Sequence, residues 1–333
     1  MAIGSGLGSQ LGFITESTWG TRVAPTTFVR ARSYNLTRPA NRVQGEGIQT
    51  GVMQPRSAHY VETTAAGEGS VDLDIQTIGM GPLFQALTGG TSTITQQGTS
   101  AAWLQVHTLG DPVKSLTMQL GAPYRTGTVA CHEISGAKIT SAEFSCAADG
   151  LLEGSFSLDA KSWDASQTLA TASYGAGAAP FHGKQMTVKE GAFGSETALP
   201  GVRSLSLSWN NALDTEDYTA GGGGAKAEQI RNGMVEISGN MTLDWLTTTK
   251  SRVQDILVAN TPTNLVFKWT GALIASTFYY DLEFVLPGVY FTGDPVGVSG
   301  PDALTMDVGF ECKFDGTNLP AIKYISTTAT SIG

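Results

Sequence analysis

The feature that most constrains the fold of this chain is an internal repeat with a period of about 170 residues. Residues 32–36 match residues 203–207, and residues 69–75 match residues 239–245. In each half these strand-like runs are followed by one short helical pattern and then by further alternating apolar runs. A period of this size is that of one domain. The repeat therefore predicts two tandem domains of related fold.

The helical patterns and the later strands also correspond between the halves. The helical stripe of Leu83, Ala86 and Leu87 corresponds to that of Val253, Ile256 and Leu257. The alternating runs that correspond are Leu116, Met118 and Leu120 with Leu265, Phe267 and Trp269, and Leu152, Gly154, Phe156 and Leu158 with Met306, Val308, Phe310 and Cys312. The alternative is that any two antiparallel β domains share alternation and turns without common ancestry.

Length and composition fit two cores of ordinary size. The chain has 333 residues, and 41% of them are apolar. Most predicted strands alternate with period 2, and each half has one short helical pattern, so the predicted fold class is mainly β: two tandem β-sandwich or barrel-like domains, each with one short flanking α-helix. Residues 165–180, rich in Ala, Ser, Thr and Gly, form the predicted linker. A boundary near Thr171 gives domains 1–171 and 172–333.

Targeting signals and cysteine usage favour a cytosolic site of synthesis. No apolar run approaches the length of a membrane span, and the first residues lack the pattern of a signal peptide. The cysteines Cys131, Cys146 and Cys312 lie in alternating apolar runs without the spacing of a zinc site. They are predicted to be reduced thiols in the core.

The low charge content predicts an extensive contact surface. Charged residues make up 15% of the chain, which also contains 41 glycines. A monomer normally keeps a densely charged exterior, so a weakly charged surface indicates burial against other subunits. A β protein with a neutral surface is the alternative. The net charge of −9 gives no general attraction to nucleic acid.

Two long loops at corresponding positions are the candidate contact segments between subunits. They span residues 37–61 and 210–230, and both are longer than a compact domain needs. The predicted inter-subunit contact residues are Arg38, Arg42, Glu46 and Arg56 in the first loop and Asp214, Glu216 and Asp217 in the second. Because one loop is basic and the other acidic, loops from neighbouring subunits are expected to meet. The alternative is a pair of solvated flexible hairpins.

The sequence contains no recognisable catalytic, cofactor or metal site. The histidines His59, His107, His132 and His182 have no metal-ligand spacing. The Gly-rich runs at residues 4–8 and 79–81 lack a Walker lysine and a parallel βαβ pattern. Asp72 and Asp74 share a strand face, which is expected to be solvated or to face a lumen. The chain is therefore predicted not to be an enzyme and to use no cofactor.

Two segments resemble the tail tube proteins of long-tailed bacteriophages. Residues 12–26 contain the pattern Glu-Ser-Thr-x-Gly-Thr-x-x-x-Pro, and residues 67–73 lead into residues 79–89 as a strand followed by a helix. The resemblance implies a β-sandwich or barrel-like domain with a flanking helix that closes into rings, which stack into a hollow tail tube for DNA. If both halves form the ring, three copies are expected to give pseudo-sixfold symmetry.

The resemblance also implies partners and a location. The expected partners are other copies of the chain and the tail terminator, tape measure and distal tail proteins. DNA is expected to pass through an acidic lumen without specific binding, no membrane is involved, and the tail is expected to assemble in the host cytoplasm. Residues 1–11 and 319–333 are predicted to be terminal arms that become ordered only when rings stack.

Two other functions remain open on the sequence. A tandem β-sandwich adhesin or surface-layer subunit shares the low charge and the Gly and Thr content, although the missing signal peptide argues against export. A polysaccharide-active enzyme needs a pair of carboxylates in an aromatic cleft. The tryptophans available for such a cleft are Trp103, Trp163, Trp209 and Trp269, whose default role is core packing.

Overall fold

A computed structural model describes residues 4–124, 127–221, 223–293 and 303–328. Strands account for 54% of the chain and helical turns for 9%, which confirms the mainly β prediction. None of the helices in the described ranges is long and apolar enough to cross a membrane.

Among the described residues, the first half of the chain contains twelve strands and one α-helix. The strands are β1 (Gln10–Thr15), β2 (Thr27–Val29), β3 (Ala31–Thr37), β4 (Ala40–Gln44), β5 (Tyr60–Ala65), β6 (Gly67–Asp74), β7 (Gly89–Gln96), β8 (Trp103–Leu109), β9 (Leu116–Pro123), β10 (Val129–Ala147), β11 (Glu153–Ala160) and β12 (Ser162–Asp164). The helix α1 (Gly81–Thr88) follows β6, and a 3-10 turn (Ser57–His59) precedes β5.

The described part of the second half contains eight strands and an interrupted helix. The strands are β13 (Met186–Gly191), β14 (Thr197–Ala198), β15 (Val202–Asn210), β16 (Glu236–Asp244), β17 (Thr263–Ala275), β18 (Phe278–Thr292), β19 (Thr305–Cys312) and β20 (Ala321–Ser326). Between β16 and β17 the chain forms α2 (Thr247–Thr249), a π-helical turn (Lys250–Gln254) and α3 (Asp255–Ala259), and a 3-10 turn (Gly183–Gln185) precedes β13.

One long antiparallel sheet runs through both halves. Its strand order is β3, β6, β11 and β10 from the first half, then β15, β16, β19 and the end of β18 from the second. The halves join where Phe144 of β10 lies opposite Leu207 of β15. Within the described ranges, β3 pairs only with β6, so this sheet is open at its β3 edge in the single chain.

Two further sheets share the strands β10 and β18 with the long sheet. The order of the first is β2, β1, β9, β10 and β12, and that of the second is β14, β13, β17, β18, β20, β8 and β7. Both shared strands contain a glycine with positive φ, 66° at Gly136 and 64° at Gly288. Residues other than glycine rarely adopt a positive φ. Each of these two glycines lies at the point where its strand passes from one sheet to the other.

The strand pairing of the first half recurs in the second. Leu36 lies opposite Gly69 in the pair β3–β6, and Leu207 lies opposite Gly239 in the pair β15–β16. Both pairs also have a register shift at the same place, between Ala31 and Ser33 and between Val202 and Ser204.

The next strands require a correction of the sequence match. Leu73 lies opposite Gly154, and Leu243 lies opposite Met306, so Gly154 rather than Leu152 corresponds to Met306. The predicted match was displaced by two residues, which is the error that period-2 alternation allows without changing the buried face.

The two helices differ in regularity. The helix α1 is the regular one: Leu83, Phe84 and Leu87 are fully buried, and Gly89 ends it with φ of 74°. The second helix is interrupted by the π turn, and in α2, the π turn and α3 only Thr249 and Val253 are buried. Burial on nearly all sides stabilises α1 by tertiary packing, whatever its intrinsic helix propensity.

Parts of the predicted terminal arms are strands. Ile322 and Tyr324 of β20 are fully buried, and β20 pairs with β8 on one side and β18 on the other. Gln10 and Leu11 begin β1, which pairs with β9. The arm prediction is therefore wrong for residues 10–11 and 321–326. Residues 1–3 and 329–333 lie outside the described residues.

A contiguous core fills the space between the sheets. It includes buried side chains of both halves, and the rings of Phe144 and Phe284 lie 4.8 Å apart between their centroids. All three cysteines are free, and burial raises the pKa of the Cys312 thiol to about 12. The predicted linker is held against the first half, because the Ala170 amide donates to the Gln119 side chain at 2.7 Å.

Candidate functional site: the concave face of the long sheet

The long sheet has one apolar and one polar face. Its apolar face packs into the core through side chains that alternate along every strand, among them Val71, Leu73, Phe144, Phe156, Leu205, Leu207, Met241, Val308 and Phe310. The polar face borders a concavity of about 780 Å³ that crosses both halves. The side chains on this face include Ser33, Asp72, Glu143, Ser145, Ser155, Ser206, Ser208, Ser238 and Asn240.

Hydrogen bonds between neighbouring strands order this polar face. The Asp72 carboxylate accepts hydrogen bonds from the hydroxyls of Ser155, at 2.6 Å, and Ser33. These two bonds, that of Ser155 first, lower the pKa of Asp72. In the second half the Thr242 hydroxyl donates to the Asp307 carboxylate at 2.7 Å. Thr242 occupies the position of Asp72, and Asp307 occupies the position of Ser155. The hydroxyl donor and the carboxylate acceptor have therefore changed strands between the two halves.

An ion pair also recurs at corresponding positions. Arg32 Nη1 lies 3.5 Å from Asp74 Oδ1, and Arg203 Nε lies 2.6 Å from Asp244 Oδ1. Arg32 also contacts Glu153. Both arginines lie at the shared register shift, between Ala31 and Ser33 and between Val202 and Ser204.

Carboxylates dominate the charge of the concave face. Those of Glu68, Asp72, Asp74, Glu143, Glu153, Glu236, Asp244, Asp307 and Glu311 lie on it, whereas its exposed cations within the strands are Arg32 and Arg203. A surface of hydroxyls and carboxylates repels phosphate at short range. The prediction that Asp72 and Asp74 lie on a solvated strand face agrees with their positions. Among the described residues, no three His, Cys, Asp or Glu side chains are grouped to hold a metal ion.

The candidate contact residues of the first loop lie on an exposed β-hairpin. We call residues 38–66, which include β4 and β5, the hairpin. Arg38 Nη1 donates to Glu62 Oε2 at 3.1 Å, and Arg42 Nη2 lies 3.4 Å from the same oxygen. Glu46 and Arg56 are exposed near its end.

The candidate contact residues of the second loop lie on a segment that folds back onto its own chain. We call residues 211–235 the clasp. Asp214 is half-buried and its carboxylate accepts the Glu216 amide at 3.0 Å, while Glu216 and Asp217 are exposed. The base of the hairpin meets the middle of the clasp within one chain, because the Ala65 amide donates to the Gly224 carbonyl at 3.3 Å. Contact between loops of neighbouring subunits stays a prediction.

The clasp is anchored by buried polar residues that the sequence did not single out. Lys226 Nζ lies 2.5 Å from Asp159 Oδ1, and both residues are less than 10% exposed. The Gln229 amide donates to Asp159 Oδ2 at 2.8 Å, and Lys138 Nζ donates to the Gln229 carbonyl at 2.8 Å. Burial raises the pKa of Asp159 and outweighs the lowering by Lys226. A single lysine in a polar loop carries no sequence signal of such burial.

Comparison with known families identifies the chain. The model of a family described as phage tail tube protein matches residues 6–312. The chain matches no curated protein sequence, and nothing in these comparisons supports an adhesin or a surface-layer subunit. The match confirms the resemblance seen in residues 12–26 and 67–89, and it extends through the second half. The chain therefore belongs to the phage tail tube protein family, and it is a structural component of the virion tail.

Proposed function

We propose that three copies of this chain close a ring whose central channel is lined by the concave face of the long sheet. The observation that carries the proposal is the repeated register of β3–β6 and β15–β16. Each half contributes four strands to the long sheet, and the junction β10–β15 shows how one such unit joins the next. We assign the units to residues 1–171 and 172–333.

Ring closure repeats this junction between chains. The free edge of β3 corresponds to the edge of β15 that β10 occupies, and β18 corresponds to β10, because β18 pairs with β19 as β10 pairs with β11. Pairing β3 of one copy with β18 of the next, on the side of β18 away from β19, closes the sheet into a barrel and removes its free edge. With two units in each chain, three chains give pseudo-sixfold symmetry.

The charge of the channel wall suits passage of DNA. Exposed carboxylates such as Glu143 and Asp307 repel the phosphate backbone, so the DNA slides without specific contacts. Stacked rings then form the tube. The tail terminator, tape measure and distal tail proteins are the partners that we assign to its ends and lumen, and we place assembly in the host cytoplasm.

Electron microscopy of the purified chain at high concentration tests the proposal. End-on class averages are expected to show hollow rings with pseudo-sixfold symmetry, and native mass spectrometry of released rings is expected to give three chains. A ring of six chains contradicts the equal roles of the two halves but keeps the tube. A chain that stays monomeric under all assembly conditions contradicts ring formation itself.

A further inference from the structure

The two halves differ at one corresponding position of the long sheet. In the first half, the clasp covers Asp159, which is 8% exposed. In the second half, Glu311 occupies the corresponding position, because Asp159 lies opposite Glu68 of β6 and Glu311 lies opposite Ser238 of β16. The Glu311 side chain is 49% exposed and contacts only the exposed Lys313 among the described cations.

The positions across the strand pair from these two carboxylates also correspond. Lys138 lies opposite Asp159 in β10–β11, and Tyr290 lies opposite Glu311 in β18–β19. The surface that the clasp covers in the first half therefore has an uncovered counterpart in the second.

The segment that corresponds to the clasp is the hairpin. The chain has 32 residues between Leu36 and Gly69, and 31 between Leu207 and Gly239, so the two loops differ in length by one residue. Arg56 precedes Gly69 by 13 residues, as Lys226 precedes Gly239. Arg56 is thus the counterpart of the lysine that pairs with Asp159.

We propose that the hairpin of one copy docks over β18 and β19 of the neighbouring copy, with Arg56 paired to Glu311 as Lys226 is paired to Asp159 within the chain. This inference rests on the ring proposed above and names the contact that holds neighbouring subunits together. The clasp can cover Asp159 because this residue lies on the neighbouring unit of the same chain. The hairpin follows β3, the free edge of the sheet, so its counterpart site lies on the next copy.

Exposed apolar side chains on both surfaces fit this contact. On the hairpin, Ile48 and Met53 are fully exposed, and Tyr60 is 56% exposed. At the ends of β16 and β19, a concavity of about 660 Å³ is bordered by Met234, Phe314 and Leu319, which are 90%, 64% and 44% exposed. Clusters of large exposed apolar side chains mark protein contact surfaces. The pairing also joins opposite charges, since the hairpin supplies the arginine and the second half the glutamate. The concavity itself is bordered by Arg231 and Lys313 as well as by Glu236 and Glu311.

A charge exchange tests the pairing in the full chain. Arg56→Glu and Glu311→Arg each are expected to lower the yield of sedimenting tubes by about tenfold or more, a loss equivalent to one well-formed contact. The double variant Arg56→Glu/Glu311→Arg is expected to recover most of the wild-type yield. The matched control is Arg42→Glu/Glu311→Arg, which makes the same charge change on the hairpin and is expected not to recover assembly. Circular dichroism of each variant checks that the subunit is folded.

The outcomes separate this inference from the proposed ring. Tubes that form from both single variants at wild-type yield, or a double variant no better than the singles, overturn the pairing and leave the ring in place. A wild-type chain that forms no rings overturns both. If Glu311→Arg does not fold because it lies beside Lys313, the pair Arg56→Gln and Glu311→Gln replaces it: losses that do not add in the double variant support the pairing, and additive losses overturn it.

Discussion

The hairpin and the clasp occupy corresponding positions and are similar in length. The hairpin is exposed, whereas the clasp packs against the first half of its own chain. The clasp contains the buried residues Asn211, Lys226 and Gln229, whereas none of residues 38–63 is buried. Their local sequences do not explain this difference, because both are polar and rich in glycine. The difference follows from where the counterpart surface lies: within the same chain for the clasp and, as we propose, on the next copy for the hairpin.

The largest effect that distinguishes the two loops is expected at the buried ion pair. Lys226→Met leaves the buried Asp159 carboxylate with Gln229 as its remaining side-chain partner and is expected to lower the free energy of unfolding by about 3 to 5 kcal/mol. Arg56→Met, the matched change on the hairpin, is expected to alter the stability of the isolated subunit by less than about 0.5 kcal/mol. Urea denaturation of both variants measures this. Equal losses would contradict the view that only the clasp has its partner within the chain.

A smaller loss is expected where the clasp begins. The Asn211 amide donates to the carbonyls of Leu87 and Ile139 at 2.8 and 2.9 Å, and its oxygen accepts the Trp209 indole N–H at 3.1 Å. Asn211→Ala leaves these buried groups without a partner and is expected to cost about 2 to 3 kcal/mol. Asn41→Ala, at an exposed position of the hairpin, is the control. A loss below that of the control would show that water or a rearrangement satisfies these groups.

The pH dependence of the Lys226→Met variant gives a third test. Burial raises the pKa of Asp159, so the folded state holds its proton at a higher pH than the unfolded state does. Stability from this group is present at low pH and is lost as the pH rises through the folded pKa. Acidification from pH 7 to pH 5 is therefore expected to restore part of the deficit, at up to about 1.4 kcal/mol per pH unit. The double variant Lys226→Met/Asp159→Asn should lack this recovery, and a deficit independent of pH would contradict the assignment.

The sequence predicted those parts of the fold whose signal is local. The strands β3, β6, β15 and β16 alternate between apolar and polar residues except at the shared register shift, and their correspondence is correct in register. The sequence predicts terminal arms where the structure has the first residues of β1 and the whole of β20, because their strand character depends on pairing with β9, β8 and β18. β20 is separated from β8 by more than half of the chain, and the alternation of apolar and polar residues does not indicate which distant strand is the partner.

The concave face was only partly predictable for the same reason. Its polar residues are the ones that alternate with the apolar residues along each strand, so the sequence predicts that Asp72 and Asp74 share one face. Which residues of the two halves lie side by side on this face depends on how β10 joins β15, a contact between the halves. The anchoring of the clasp was not predictable, since Lys226 and Asp159 are 67 residues apart and each resembles an ordinary surface charge.

The smallest effect is expected at the ion pairs of the hairpin itself. Arg38, the larger influence, and Arg42 lower the pKa of Glu62, but all three side chains are exposed and water and salt screen their charges. Glu62→Gln is therefore expected to leave the urea midpoint of the isolated subunit unchanged within error at low and at high salt. A midpoint that falls at low salt and recovers at high salt would instead show that these charges hold the hairpin in the free subunit. The hairpin would then be as firmly anchored as the clasp, and exposure alone would not distinguish the two loops.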